Sequence, residues 1–492
     1  MTPTTGWSTE AFRRHGELVL RLLSDFVETS RRGDGKVARL EDVGALIRSL
    51  GIEDLIAEGG MSDAQFEKLV RGFLEGSTRL QHPGYMAHQI ALPHYGAALA
   101  DLIAGALNNG MSVYEMGPAA GAIEVAMIDW MLSKVGWQPT GRDPGRTPAG
   151  AGGGGVLTNG GSLANLTALL AARAAIAPEA WERGTPSDLV LLASGSAHYS
   201  VARAAAILGL GTQGLVKVPT DVFGRLIPEA LPAAYERVVA EGRRVLAVCA
   251  NACATATGLY DPLAEVGAFC RERGLWFHVD GAHGASALLH PIASRRLAGV
   301  VLADSLVWDA HKLLQTSALC TAVLFRDGAT LGRAFRQDAV YVTEGHRETG
   351  VDFIEQQFEC TKTPLGLKLL LTLAFVGEAG MAANVEALFD LAGRIHGQLS
   401  RREGFETLCP PESNILCFRY AGDDALQSRI RQELMRRGDF LVTQADVAGQ
   451  RWLRLTLMNP LTDEATIERL LETIESLSRP GRGERSQHES AP

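Results

Sequence analysis

From residue 155 to residue 325 the chain alternates short apolar runs with longer helix-forming stretches, a pattern that predicts strands and helices taken in turn. The strands are expected at Leu189 to Ala193, Val216 to Val218, Val245 to Ala250, Leu275 to Val279, Ala303 to Trp308 and Ala318 to Phe325. Their continuous apolar character implies burial on both faces, hence an α/β fold built on a mostly parallel sheet with helices on each side.

Outside this stretch the period changes. Between Thr9 and Thr29, Phe12, Val19, Leu22, Leu23 and Phe26 recur at helical spacing, and shorter helical patterns follow around Ala45 to Leu50 and Ser62 to Leu74. Residues 1–80 therefore read as a helical arm whose apolar stripe needs cover, either from its own large domain or from a second subunit. Residues 81–377 read as the large domain, with helices at Ala97 to Leu107, Ala119 to Val135 and Leu163 to Ala177, and a Gly/Pro-rich loop from Gly141 to Gly155. Residues 378–478 combine strands near Asn414 to Phe418, Phe440 to Thr443 and Trp452 to Leu457 with a helix from Thr462 to Leu477, a small α+β domain. The polar stretch 479–492 reads as a disordered tail.

Composition narrows the function classes. With 46% hydrophobic and 21% charged residues, the 492-residue chain can bury a large core. A net charge of −9, with basic residues scattered, argues against nucleic-acid binding. Seven cysteines without metal-ligand spacing read as reduced thiols, Cys249 and Cys320 within apolar strands, which together with the lack of an export signal points to the cytoplasm and to no bound metal. No apolar run looks long enough to cross a bilayer.

The candidate chemistry sits at strand ends. Asp280 is expected at the carboxyl end of the strand Leu275 to Val279, where open α/β sheets place ligands, and Lys312 follows Ser305 to Trp308. Either motif alone is common. A third element, Gly-Val-Leu-Thr-Asn-Gly-Gly-Ser from Gly155 to Ser162, runs straight into a helix, where Gly160, Gly161 and Ser162 can offer backbone N–H groups to a phosphate. A lysine, a carboxylate and a phosphate cradle in this order suit pyridoxal 5'-phosphate: the lysine forms a Schiff base with the aldehyde, and the aspartate keeps the pyridine nitrogen protonated. His198 and Thr255 follow two other strands and can meet the same ring, and Tyr114 lies in a loop that either lines a pocket or merely joins two helices.

These residues together resemble the group II pyridoxal 5'-phosphate-dependent amino acid decarboxylases, over about His82 to Leu477. The resemblance implies fold type I, a homodimer with a site built from both subunits, and a histidine stacked on the cofactor ring at His198, within Ala-His-Tyr-Ser. It implies the ring-nitrogen partner at Asp280, with Ala282 close to the ring, and the Schiff-base lysine at Lys312 beside His311, a candidate proton donor. The family's Asn-Pro before His-Lys is replaced here by Asp309-Ala310. On the substrate side the resemblance points to His88 and Gln89, where aromatic-specific relatives carry aromatic residues, so a short polar amino acid, acidic or diamino, is expected. Arg454 resembles an arginine that reaches a substrate carboxylate, with a structural role in the small domain as the other possibility. Phe353 stands near where relatives present a loop tyrosine, with Tyr341 earlier, which opens the alternative of decarboxylation with oxidative deamination to an aldehyde. An aminotransferase or desulfurase, and a catalytically silent binding protein of the same fold, are the remaining alternatives.

Overall fold

The computed structural model describes residues 6–139, 151–335 and 350–478. Seven strands form the central sheet: β2 (Gly154–Thr158), β3 (Leu189–Ser194), β4 (Leu215–Val218), β5 (Arg244–Asn251), β6 (Phe277–Asp280), β7 (Ser305–Asp309) and β8 (Thr321–Phe325), in the order β2-β8-β7-β6-β5-β3-β4. β3 to β7 are parallel, and β8 is antiparallel to both β2 and β7. The carboxyl ends of β2, β3, β5, β6 and β7 therefore meet along one edge, and the reversed β8 brings its amino end, Thr321, to the same edge.

Each of the six expected strands is present, with boundaries moved by one to three residues. β2 is a seventh that the pattern did not reveal, because Gly154 and Gly155 look like loop. A Cβ on Gly155 would lie 2.6 Å from Val323 O, so the tight pairing with β8 requires glycine there. The following helix, Gly161–Ile176, starts two residues earlier than expected, which puts Gly161 and Ser162 in its first turn. It buries Ala164, Ala168, Leu169 and Ala172 on the sheet, small side chains that let it lie close.

The small sheet runs β1-β11-β12-β10-β9, with β9 (Phe405–Thr407), β10 (Ile415–Tyr420), β11 (Leu441–Val447) and β12 (Gln450–Thr456) antiparallel. Its edge strand β1 (Tyr85–Met86) comes from far earlier in the chain and pairs parallel with β11. The pattern gave no sign of this strand, which is two residues long. The helix Leu365–Leu399 joins the two units and leaves helical geometry at Gly377 (φ 73°, ψ 162°). By length and composition it could cross a membrane, contrary to the sequence expectation. Its buried residues include Leu365, Leu369 and Met381 in the core of the large unit and Leu391, Ala392 and Ile395 in that of the small one. Lys368 on it pairs with Asp101 at 2.9 Å.

Four helices precede β1: Thr9–Arg31, Val43–Leu50, Ile52–Glu58 and Asp63–Glu75. The first buries only Leu22 and Ser30. Leu20, Leu40, Val43, Ile56 and Phe73 remain exposed along this arm, so its apolar stripe is not covered by its own chain. All seven cysteines are free, five of them buried, and no cluster of potential metal ligands occurs among the described residues. The Gly141 to Gly155 loop is described only from residue 151 onward, and both Tyr341 and the segment 479–492 lie outside the described residues.

Candidate active site

A cavity of about 270 Å³ opens at the strand-end edge of the large sheet. Gly160, Gly161, Ser162, His198, Thr255, Asp280, Ala282, His311, Lys312 and Gln89 all border it, so one hollow gathers ten of the residues singled out from sequence. They come from the ends of five different strands and from the segment after β1, so the sheet itself largely sets their separation.

The helix Gly161–Ile176 has no side-chain cap at its amino end: Gly160 is the N-cap (φ 100°), and Asn159 turns away to donate to Glu359 Oε1 at 2.7 Å. Its first-turn N–H groups and the positive end of its dipole are thus free for an anion. A Cβ on Gly161 would stand 3.3 Å from Asp309 Oδ1, so the cradle is narrow.

Across the cavity, a directional chain of hydrogen bonds holds Asp280. Trp276 Nε1 donates to Ser305 Oγ at 3.0 Å, and Ser305 Oγ lies 2.8 Å from His278 Nδ1. His278 Nε2 lies 2.9 Å from Asn165 Oδ1, and Asn165 Nδ2 donates to Asp280 Oδ2 at 3.0 Å and to Ser200 Oγ at 2.9 Å. Ser200 Oγ then meets His198 Nδ1 at 2.8 Å. With every donor used once, His278 carries its proton on Nε2 and His198 keeps Nδ1 as an acceptor. Ala282 N donates to Asp280 Oδ1 at 3.2 Å. Burial drives the His278 pKa down to about 4, against the pull of Asp280. The His198 pKa is also lowered, mainly by burial and further by Lys312, so both rings are neutral at pH 7.

Lys312 Nζ lies 2.7 Å from Asp309 Oδ2. His311 Nδ1 is 2.9 Å from Cys320 O, which orients its ring along the same wall. His283, unnoticed in the sequence, also borders the cavity: Nε2 lies 2.7 Å from Asn414 Oδ1, and Nδ1 has no partner. Burial, helped by Lys312, pushes its pKa down to about 3. Asn165 and His283 escaped sequence reading because one is mid-helix and the other a solitary polar residue with no motif of its own, while Ser200 lies within Ala-His-Tyr-Ser, where only the histidine drew a role.

Four expected substrate contacts lie elsewhere. His88 borders a separate hollow with Tyr85, Arg431 and Leu441, while its neighbour Gln89 faces the cavity, since successive residues of an extended segment point to opposite sides. Phe353 is buried in the core with the Lys362 ammonium 4.7 Å from its ring centroid. The Tyr114 backbone N–H donates to Asp352 Oδ1 at 2.9 Å, and its ring packs where a Cβ on Gly350 would fall. Arg454 is buried behind the cavity wall, donates to Thr456 Oγ1 at 3.0 Å, and has no acidic partner among the described residues. Burial lowers its pKa.

The residues present fit pyridoxal 5'-phosphate: an uncapped helix start for the phosphate, a buried carboxylate opposite, and a lysine between them. An enzyme that works through a lysine-bound aldehyde cofactor is the class this arrangement defines. Residues 64–421 match the family model for the pyridoxal-dependent decarboxylase conserved domain. The acidic amino acid decarboxylase GADL1 of Mus musculus is 29% identical over 441 residues, covering 85% of this chain and 78% of that protein. The L-2,4-diaminobutyrate decarboxylase of Acinetobacter baumannii is 27% identical over 441 residues, 85% of this chain and 84% of that one. A crystal structure of mouse CSAD superposes with a TM-score of 0.88 at 26% identity, over 96% of this chain and all of that chain. The chain belongs to the pyridoxal-dependent decarboxylase family, with the fold type I architecture; its cofactor is pyridoxal 5'-phosphate and it is an amino acid decarboxylase.

Proposed function

We propose that the chain decarboxylates a short polar L-amino acid, acidic or diamino, to the amine. The observation that carries this reading is the cavity lining: among the described residues no phenylalanine, tyrosine or tryptophan borders it, whereas Gln89 and His283, which the cofactor does not claim, do. Such a wall rejects an aromatic substrate because its polar groups would be left unpaired. The relatives support it, being named for acidic amino acids and for 2,4-diaminobutyrate.

When bound, pyridoxal 5'-phosphate supplies a sink for the electron pair left as carbon dioxide departs. Lys312 would supply the amine that holds the cofactor aldehyde. Asp280, fixed by Asn165 and Ala282, holds a proton on the ring nitrogen by its negative charge. His198, its Nδ1 tied to Ser200, would help hold the ring, and Thr255 and Ala282 would border it. Gly160, Gly161 and Ser162 hold the phosphate at the helix start. His311 is the acid assigned to return a proton to the α carbon. Arg454 does not border the cavity, but it is buried without an acidic partner among the described residues and acts electrostatically on Cys253 and His283 in the cavity wall, so it is the cation we assign to a substrate carboxylate; Arg454→Met should raise KM for an acidic substrate with the cofactor absorbance unchanged.

Phe353 is packed in the core and does not border the cavity, so its position gives oxidative deamination no support; hydrogen peroxide release during turnover would favour that alternative. We further assign a homodimer in the cytoplasm: the apolar stripe of the arm, together with Tyr95, Leu102, Leu107 and Phe375 on the helices Tyr95–Leu107 and Leu365–Leu399, supports cover by a second copy, and the free thiols suit a reducing compartment. Carbon dioxide release from a panel of α-amino acids tests the substrate reading; preference for phenylalanine, tyrosine or tryptophan overturns it. Light scattering showing an active monomer overturns the dimer.

A further inference from the structure

The family's asparagine before Pro-His-Lys is an aspartate here, and its side chain does not point to solvent. Asp309 is 1% exposed. Its Oδ2 lies 2.7 Å from Lys312 Nζ and 3.6 Å from His311 Nε2, and its Oδ1 accepts from Thr321 Oγ1 at 2.6 Å. Its backbone N–H donates to Ala282 O at 3.0 Å, and Gly161, without a Cβ, leaves room for the carboxylate beside the helix start. Every contact made by this side chain is therefore fixed by a neighbouring strand, helix or the lysine itself. Burial works to raise the Asp309 pKa, but Lys312, His311 and the Thr321 hydroxyl outweigh it and hold the group below the ordinary carboxylate value.

We propose that Asp309 is a positioning residue that stores Lys312 as an ammonium ion against the cavity wall whenever the lysine is not joined to the cofactor, and so sets the pH at which the apoenzyme captures pyridoxal 5'-phosphate. The inference rests on Lys312 being the attachment point. Capture joins a neutral amine nitrogen to the aldehyde carbon, forming a C=N bond and releasing water, so the ammonium must first pass one proton to solvent. A buried carboxylate 2.7 Å away opposes that loss; a neutral asparagine, able to accept the same hydrogen bond, opposes it far less. The same storage acts in turnover, keeping the displaced lysine charged, ordered and off the reacting carbon. The other titratable groups facing the pair are His311 on the same loop, His198 and Asp280 from β3 and β6, His283 after β6, and the Cys253 thiol, pushed up to about 12 by burial. None of these lies between Asp309 and Lys312.

The test uses apoenzyme and its rate of cofactor capture, read by absorbance across pH 6 to 10. Asp309→Asn should move the midpoint of that profile down by about one pH unit, seen as roughly tenfold faster capture on the acid side. A merely structural role would change the rate at all pH values and leave the midpoint in place, and that result overturns the proposal. Thr321→Val, which removes only the hydroxyl orienting the carboxylate, should give a smaller shift of the same sign; no shift in a folded Thr321→Val protein counts against the proposal even if Asp309→Asn does not fold. A double-mutant cycle of Asp309→Asn and Lys312→Met on thermal unfolding of the apoprotein should be non-additive, and additivity overturns the pairing. Capture that persists in Lys312→Met instead overturns the attachment reading itself, whatever Asp309→Asn does.

Discussion

Two lysines of this chain meet buried carboxylates, and the structure treats them in opposite ways. Lys362 is sealed: its Nζ lies 2.5 Å from Glu124 Oε1 and donates to Leu157 O at 2.7 Å, and both side chains are 0% exposed. Glu124 Oε1 also accepts from Leu157 N at 2.9 Å, so the pair pins the backbone of β2 just before the phosphate cradle. Lys312 has Asp309 on one side and the cavity on the other, with 17% of its side chain exposed. A fully enclosed ion pair can only hold structure, because neither partner can leave without stranding a charge. An ion pair with an open side keeps the amine ordered yet able to react.

Four substitutions probe that contrast. The largest effect belongs to Lys312→Ala, which should take turnover below detection and erase the cofactor absorbance in a chain that still folds, though less stably because Asp309 loses its ammonium partner; turnover within a few-fold of the parent would sink the assignment. Lys362→Met should do the reverse, costing about 3–5 kcal/mol in denaturant unfolding by leaving Glu124 charged and alone, while the folded fraction keeps its cofactor band. A Lys362→Met protein of parental stability would show that the sealed pair is not a clamp.

Asp280→Asn should cost about 3 kcal/mol or more of barrier, several hundred-fold in kcat, because asparagine keeps the size and the Asn165 contact without the charge. Normal turnover would mean that another group holds the ring proton. The smallest effect concerns the two neutral histidines, His278 sealed beneath Asp280 and His283 facing the cavity. Both have folded pKa values below the unfolded value near 6.5, at about 4 and about 3, so the unfolded chain binds more protons below pH 6.5 and stability falls as pH drops from 6.5 toward 4. Each contributes about 1.4 kcal/mol per pH unit to that slope. His283→Gln should flatten the stability profile by that amount, measured by urea unfolding between pH 4.5 and 6.5, and an unchanged slope would show that His283 is protonated when folded.

Much of the site was legible because strand-end chemistry is written locally. Asp280, Lys312, His198 and Gly161 each follow an apolar run, and periodicity alone brings such positions to one edge. What lay beyond reach depended on side-chain direction or on distant pairing. Nothing in the sequence separates His88 from Gln89, yet one faces the cavity and the other a different hollow. Phe353 could be aligned with a catalytic tyrosine by position, but a buried ammonium and the core claim its ring. Asn165 sits in the middle of an alanine-rich helix and gains its role only when β6 and the Tyr199–Ile207 helix close around it. β2 was hidden by the glycines that make its pairing possible.

The two-residue strand β1 has a bearing on how the chain is made. Tyr85 and Met86 pair with Leu441 and Val442, and Thr443 Oγ1 donates to Ala87 O across a separation of 356 residues. Met86 is 0% exposed, packed in the core of the small unit. At a synthesis rate of roughly 5–20 residues per second, its partner emerges about 20–70 s after it does. During that interval the large sheet can form on the ribosome while the segment leading to Gln89 lacks its partner strand β11. The substrate side of the cavity is consequently the last part to take shape, and a nascent chain released before residue 442 would carry a cofactor cradle with one wall missing.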